Sequence, residues 1–137
     1  MKNKFIVLLS VLLLIAFSPA CTARNKDLSV SNLRTALDKD GKNVTSTFSP
    51  SDVIYIVVDL ANVPRGTKLE VKWIAVNAAD TDPNHQFDLQ TINITQEIFT
   101  GTTYFQLSNA APWPVGQYRA DLYLNDALAD SVEFSVQ

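Results

Sequence analysis

The chain has 137 residues, with 11 lysines and arginines against 14 aspartates and glutamates, and a formal charge of −3 at pH 7. That length holds one domain, not two comfortable cores. The acidic balance argues against nucleic acid as a partner, because gripping a phosphate backbone requires a basic face. A single cysteine excludes an internal disulfide, so apolar burial must hold the fold.

Lys2 and Lys4 precede an apolar run of 13 residues, Phe5 to Phe17, broken only by Ser10. As a helix it spans roughly 20 Å, short of the ~30 Å hydrocarbon core of a bilayer. A signal helix over residues 1–20 is therefore expected, which places the rest of the chain outside the cytoplasm. Ser18-Pro19-Ala20-Cys21 resembles the lipobox of bacterial lipoproteins, in which the cysteine becomes the acylated new N-terminus. Ala20 fits that pattern. Pro19 and Ser18 depart from it, since the family prefers a small non-proline residue and a leucine there. The resemblance implies fatty acyl (palmitate-type) chains on Cys21, hence a membrane as partner and a lipid-anchored location on the cell membrane or outer membrane. Acylation would also cap a thiol that is otherwise unpaired. Each buried methylene is worth about 0.8 kcal/mol, so two or three chains hold a small domain firmly. The alternative is ordinary cleavage after Ala20 or Ala23, leaving a periplasmic or secreted protein.

Without residues 1–20 the chain keeps 117 residues, nine basic and fourteen acidic side chains, and a net charge of about −5. Residues 21–27 read as a polar tether between lipid and domain. Residues 28–137 then read as strand after strand. Leu28–Leu37 comes first and Asp38-Lys39-Asp40-Gly41 turns the chain. A short piece, Val44–Phe48, precedes Val53–Leu60, whose β-branched and aromatic residues make the strongest strand. With Asp59 in solvent, Ile54, Ile56, Val58 and Leu60 face the core. Leu69–Val76 alternates, with Leu69, Val71, Trp73 and Ala75 inward. Gln86–Phe99 changes phase between Phe87, Leu89 and Ile92, Ile94, which predicts a bulge or break near Thr91. Phe105 and Leu107 point inward from Thr102–Leu107, and Tyr118, Ala120, Leu122 and Leu124 from Gln117–Leu124. Asn125-Asp126 turns into a last strand carrying Val132, Phe134 and Val136.

About seven strands and no amphipathic helix predict an all-β, antiparallel two-sheet sandwich. Trp73 on a mid-chain strand, with Gly116-Gln117-Tyr118 opening the penultimate one, resembles an immunoglobulin-like domain. The stretch Trp113–Val136 is similar to the closing hairpin of bacterial immunoglobulin-like domains on exported proteins. The resemblance covers residues 28–137 and implies structural roles for Trp73, in the core, and Tyr118, bonded back across a corner. The inter-sheet cystine of the family is absent: Ala120 stands where its second cysteine would be. The fold by itself implies no activity.

Candidate sites are few. His85, the sole histidine, lies in a polar loop without a partner motif and reads as solvated. Asp80-Thr81-Asp82-Pro83-Asn84 spaces oxygen ligands as calcium loops do, but His85 and Thr91 stand where such a loop needs glycine and glutamate. Asp80 and Asp82 are therefore candidate contact residues in a turn, and neither a metal nor a cofactor is expected; the alternative is a weak extracellular cation site using Asp80, Asp82 and Asp88. Trp113, between Pro112 and Pro114, either anchors a partner or folds down to plug the sandwich. Tyr55, Val57, Ile74 and Tyr123 face outward and form one apolar patch if their strands are neighbours, unless the Asn77–Phe87 loop covers it. The expectation is a non-catalytic binding or spacer module for a protein or glycan, with Asn77–His85 and Ser108–Gly116 as contact loops. The alternative is an accessory or inhibitory subunit of an exported enzyme, acting through the Trp113 loop.

Overall fold

The structure, a computed structural model, describes residues 27–137. The signal helix, Cys21 and most of the tether lie outside the described residues. Eight strands follow in order: β1 (Ser29–Ala36), β2 (Thr47–Phe48), β3 (Ile54–Pro64), β4 (Lys68–Ala78), β5 (His85–Asn93), β6 (Ile98–Leu107), β7 (Gly116–Leu124) and β8 (Ala127–Val136). They form a three-stranded sheet, β1-β3-β6, and a five-stranded sheet, β2-β8-β7-β4-β5. All pairings are antiparallel except that of β2 with β8. In immunoglobulin lettering the sheets are A-B-E and A′-G-F-C-C′, so the fold is an immunoglobulin-like sandwich. The two-residue β2 carries the first strand's path from one sheet to the other, which makes eight strands of the seven or so expected.

The core lies between the sheets because alternate residues of each strand point inward. Ile54, Ile56, Val58 and Leu60 from β3 meet Leu69, Val71, Trp73 and Ala75 from β4, each no more than 2% exposed. At the centre Phe134 is ringed by aromatics: Phe48 at 5.7 Å and Trp73 at 6.2 Å meet it edge-on, and Tyr118 stacks on it at 5.4 Å. Such offset and T-shaped pairs add about 0.5–1.5 kcal/mol each beyond area burial. On the open side of the sandwich, Gln90 Nε2 on β5 donates to the Gln106 carbonyl on β6 at 2.8 Å. That bond ties the edges of the two sheets together.

Two expectations are revised. The phase change in Gln86–Phe99 is not at Thr91. Trp73 pairs with Asp88 and Ile74 with Gln86, so the extra residue is Phe87. Leu89 consequently points out, 46% exposed, opposite Lys72. The break expected near Thr91 comes after Asn93, where buried Ile94 exchanges backbone bonds with Thr67 and Gly66 before β6 starts at Ile98. Finally, the four outward apolar residues form no single patch. Tyr55 and Val57 lie on the three-stranded sheet and Ile74 and Tyr123 on the other. Val57 is fully covered, flanked in register by Arg34 and Tyr104. Beside it Arg34 reaches the β1–β2 loop at the Gly41 carbonyl (3.2 Å) and pairs with Asp59 (3.3 Å).

Candidate functional site

Two loops meet at one end of the sandwich, β4–β5 and β6–β7. The β4–β5 turn is tight, with Asp80 and Asn84 both at positive φ (57° and 56°), a conformation that aspartate and asparagine tolerate better than most residues. The Asn84 amide closes it on the Val76 carbonyl at 3.1 Å, and the Ala79 amide binds the Val115 carbonyl of the neighbouring loop at 2.9 Å. The β6–β7 loop is pinned from below. The Trp113 amide donates to the Pro50 carbonyl at 2.7 Å, and its Nε1 donates to the Asp52 carbonyl at 3.1 Å. Tyr118 Oη donates to the Pro114 carbonyl at 2.6 Å, forming the corner at the start of β7.

Between these loops is an open cleft of about 620 Å³. Its floor is apolar, made of Ala75, Phe87, Trp113, Pro114 and Tyr118, and its rim carries Asp80, Thr81, Asp82, His85 and Asn109. Asp80, Asp82 and Trp113 are thus brought together. Trp113 is 9% exposed and rests on Phe87 at 6.2 Å. It is the plug of this end and part of the cleft wall, so its indole cannot enter a partner without surrendering its own seat. His85 opens β5 at the cleft mouth. Thr81 and Asn109 also line the cleft and lie in the two loops expected to make contact, whereas Phe87 was expected only as a strand residue. The bulge that swings Phe87 under Trp113 is the one local irregularity that pointed here. Asp80, Asp82 and His85 take part in none of the side-chain hydrogen bonds or ion pairs among the described residues. No three of the described histidines, cysteines or acidic residues converge as a metal site.

The cleft stands at the far end from where the chain enters the domain. Asn62 Nδ2 binds the Asp27 carbonyl and Ser29 pairs with Ala61, fixing the entering segment beside the end of β3. From there β4 runs from Lys68 to Ala78, ten residue steps or about 33 Å, to the cleft.

Tyr118→Phe removes the corner bond and is expected to cost about 1 kcal/mol, the usual net worth of one hydrogen bond. Burial holds the Tyr118 phenol above its ordinary 10.0. The folded chain therefore keeps a proton that the unfolded chain releases. This contribution is complete below pH 10 and is lost as the pH climbs past it. Urea midpoints at pH 8 and 11 check this: wild type falls between them, and Tyr118→Phe falls less.

No protein-family profile and no curated protein sequence matches the chain. Solved structures do resemble it in shape. The alkylpurine DNA glycosylase AlkC of Pseudomonas fluorescens, bound to DNA with an abasic-site analogue, superimposes with a TM-score of 0.53 at 9% identity, over 80% of this chain and 30% of that one. A β-glucosidase of Listeria innocua in complex with gluconolactone gives 0.51 at 15% identity, over 80% and 16%. An immunoglobulin-like protein of Pseudomonas aeruginosa gives 0.49 at 10% identity, over 83% and 99%. This chain therefore spans less than a third of either enzyme, and the likeness is one of fold alone.

Proposed function

We propose that the chain is an exported cell-envelope protein, held to a membrane by lipid on Cys21, whose immunoglobulin-like domain binds a protein or glycan partner in the end cleft without turning it over. The observation that carries this reading is the placement of the cleft. The cleft lies at the end of the sandwich opposite the entering segment, where Asn62 binds the Asp27 carbonyl, so a lipid tether ahead of Asp27 would leave it facing away from the bilayer. Concave sites with an apolar floor and a few polar groups are the default binding sites of small domains. Catalysis is left out because the ionisable rim groups are exposed and His85 holds no hydroxyl nucleophile in hydrogen-bond contact among the described residues. The subunit or inhibitor reading keeps one support, the Ser108–Gly116 loop beside the cleft. Its exposed residues are Ser108 to Pro112, Pro114 and Val115, not Trp113.

Asn109→Trp tests the reading, since a large ring at this exposed rim position fills the cleft and leaves the core untouched. Wild-type protein immobilised with envelope extract retains one stoichiometric protein, or binds a defined glycan on an array, and the variant loses it. Equal binding by the two proteins would place the contact elsewhere. Mass spectrometry of the mature N-terminus is expected to show diacylglycerol on Cys21. An unmodified terminus would remove the anchor from the account.

A further inference from the structure

The lining of the cleft selects its ligand. Of the acidic side chains described, Asp59, Asp121 and Asp126 are engaged with Arg34, Arg119 and Lys68, and Glu70 with Lys68. Among the described residues Asp80 and Asp82 have no such partner, a state they share with eight other acidic residues, but they alone of the acidic side chains line the cleft, and no described lysine or arginine does. Two free carboxylates therefore stand over an apolar floor, in a domain already negative. A side chain with an apolar stem and a cationic head matches both parts, the stem lying on the apolar floor and the head reaching the rim. A sugar does not match as well. Stacking needs an open aromatic face, and Trp113 is tilted onto Phe87 while Tyr118 is stacked on Phe134 and 3% exposed. Anionic groups meet only repulsion.

We infer that the cleft receives an arginine or lysine side chain of a protein partner, held between Asp80 and Asp82 above Phe87 and Trp113. This rests on the cleft being the binding site, and it narrows the partner to a protein that presents a basic residue. Arginine has the advantage, because its planar fork addresses two carboxylates at once.

The test titrates the full-length domain with three probes: capped Ala-Arg-Ala, capped Ala-Glu-Ala and a chitin tetrasaccharide. The indole N–H of Trp113 and the ring protons of His85 report occupancy by NMR. The arginine peptide is expected to shift both resonances saturably and the other two probes to leave them in place. Affinity is expected to fall about tenfold from roughly 20 mM to roughly 200 mM salt, as for a rim ion pair. It is also expected to fall at least about tenfold in the doubly substituted Asp80→Asn, Asp82→Asn protein. Both positions are exposed and unbonded, and unchanged thermal unfolding verifies that the variant folds. Absence of a saturable arginine shift, or undiminished binding by the double variant, overturns the inference. Shifts produced by the tetrasaccharide and blocked by Asn109→Trp overturn it too, while leaving the cleft as the site. Envelope binding that ignores Asn109→Trp instead removes the cleft reading itself.

Discussion

Trp73→Ala lowers the unfolding free energy by about 3–5 kcal/mol, the range for deleting a large aromatic from a close-packed core. Trp73 is wholly buried and meets Phe134 edge-on, with Val71 and Ala75 on its own strand pointing the same way. Nothing at the surface can move in to fill a hole of that size. A domain of this length has only about 5–15 kcal/mol in total, so the melting temperature is expected to drop by about 20 °C. Trp73→Phe separates size from chemistry. The indole Nε1 is buried without a hydrogen-bond partner among the described residues, so the natural side chain already carries a desolvation cost that phenylalanine escapes. The phenylalanine variant should lose about 1–2 kcal/mol, less than its lost volume alone implies. Calorimetry of the two proteins checks both figures. A Trp73→Ala domain that melts within a few degrees of wild type would mean that the ring is not at the centre of the core.

Gly116→Ala costs about 3 kcal/mol for a different reason. Gly116 opens β7, pairs with Ala78 on one side and Val136 on the other, and sits at φ +156°. A Cβ there would run into the Asn77 carbonyl oxygen and the Ala78 Cα, both backbone atoms fixed by the sheet. Overpacking against immovable atoms adds to the conformational strain. Gly66→Ala is the control: its φ of +86° is also unfavourable to alanine, but nothing lies within 4 Å of the added carbon. It should cost only about 1 kcal/mol. Because the Val115 carbonyl next to Gly116 accepts the Ala79 amide, Gly116→Ala also loosens the cleft. Binding is expected to fall along with stability in this variant and to stay intact in Gly66→Ala.

The sandwich was legible where strands are half-buried. Val53–Leu60 and Leu69–Val76 carry a period-two signal that fixes which side chains face the core, and the structure buries Ile54, Ile56, Val58, Leu60, Leu69, Val71, Trp73 and Ala75 accordingly. That signal says in or out and never which strand lies alongside. Tyr55 and Val57 face outward as read, but whether they join Ile74 and Tyr123 in one patch depended on which strands are neighbours, and those two belong to the opposite sheet. A phase slip is visible in Phe87, Leu89, Ile92 and Ile94, but any residue between them can absorb it. The position was decided at a distance, by Phe87 packing under Trp113 and against Tyr118 at 6.0 Å. Trp113 sits in a loop without periodicity. Its seat depends on the carbonyl of Asp52, 61 positions earlier, so its sequence neighbours Pro112 and Pro114 could not reveal whether it folds in or projects. The site was legible as two loops. That they face each other across one cleft is a product of topology, because β4 and β7 are neighbours whose facing ends both reach that end of the sheet.

The most direct measurement places a photo-reactive benzophenone amino acid at either end of the domain in living cells. At position Asn109 it borders the cleft, and at position Asn125 it lies in the β7–β8 turn at the opposite, tether end. The account predicts one discrete adduct from Asn109, abolished by Asp80→Asn with Asp82→Asn, and none of that mass from Asn125. The same adduct from both positions, or from Asn125 alone, would contradict it.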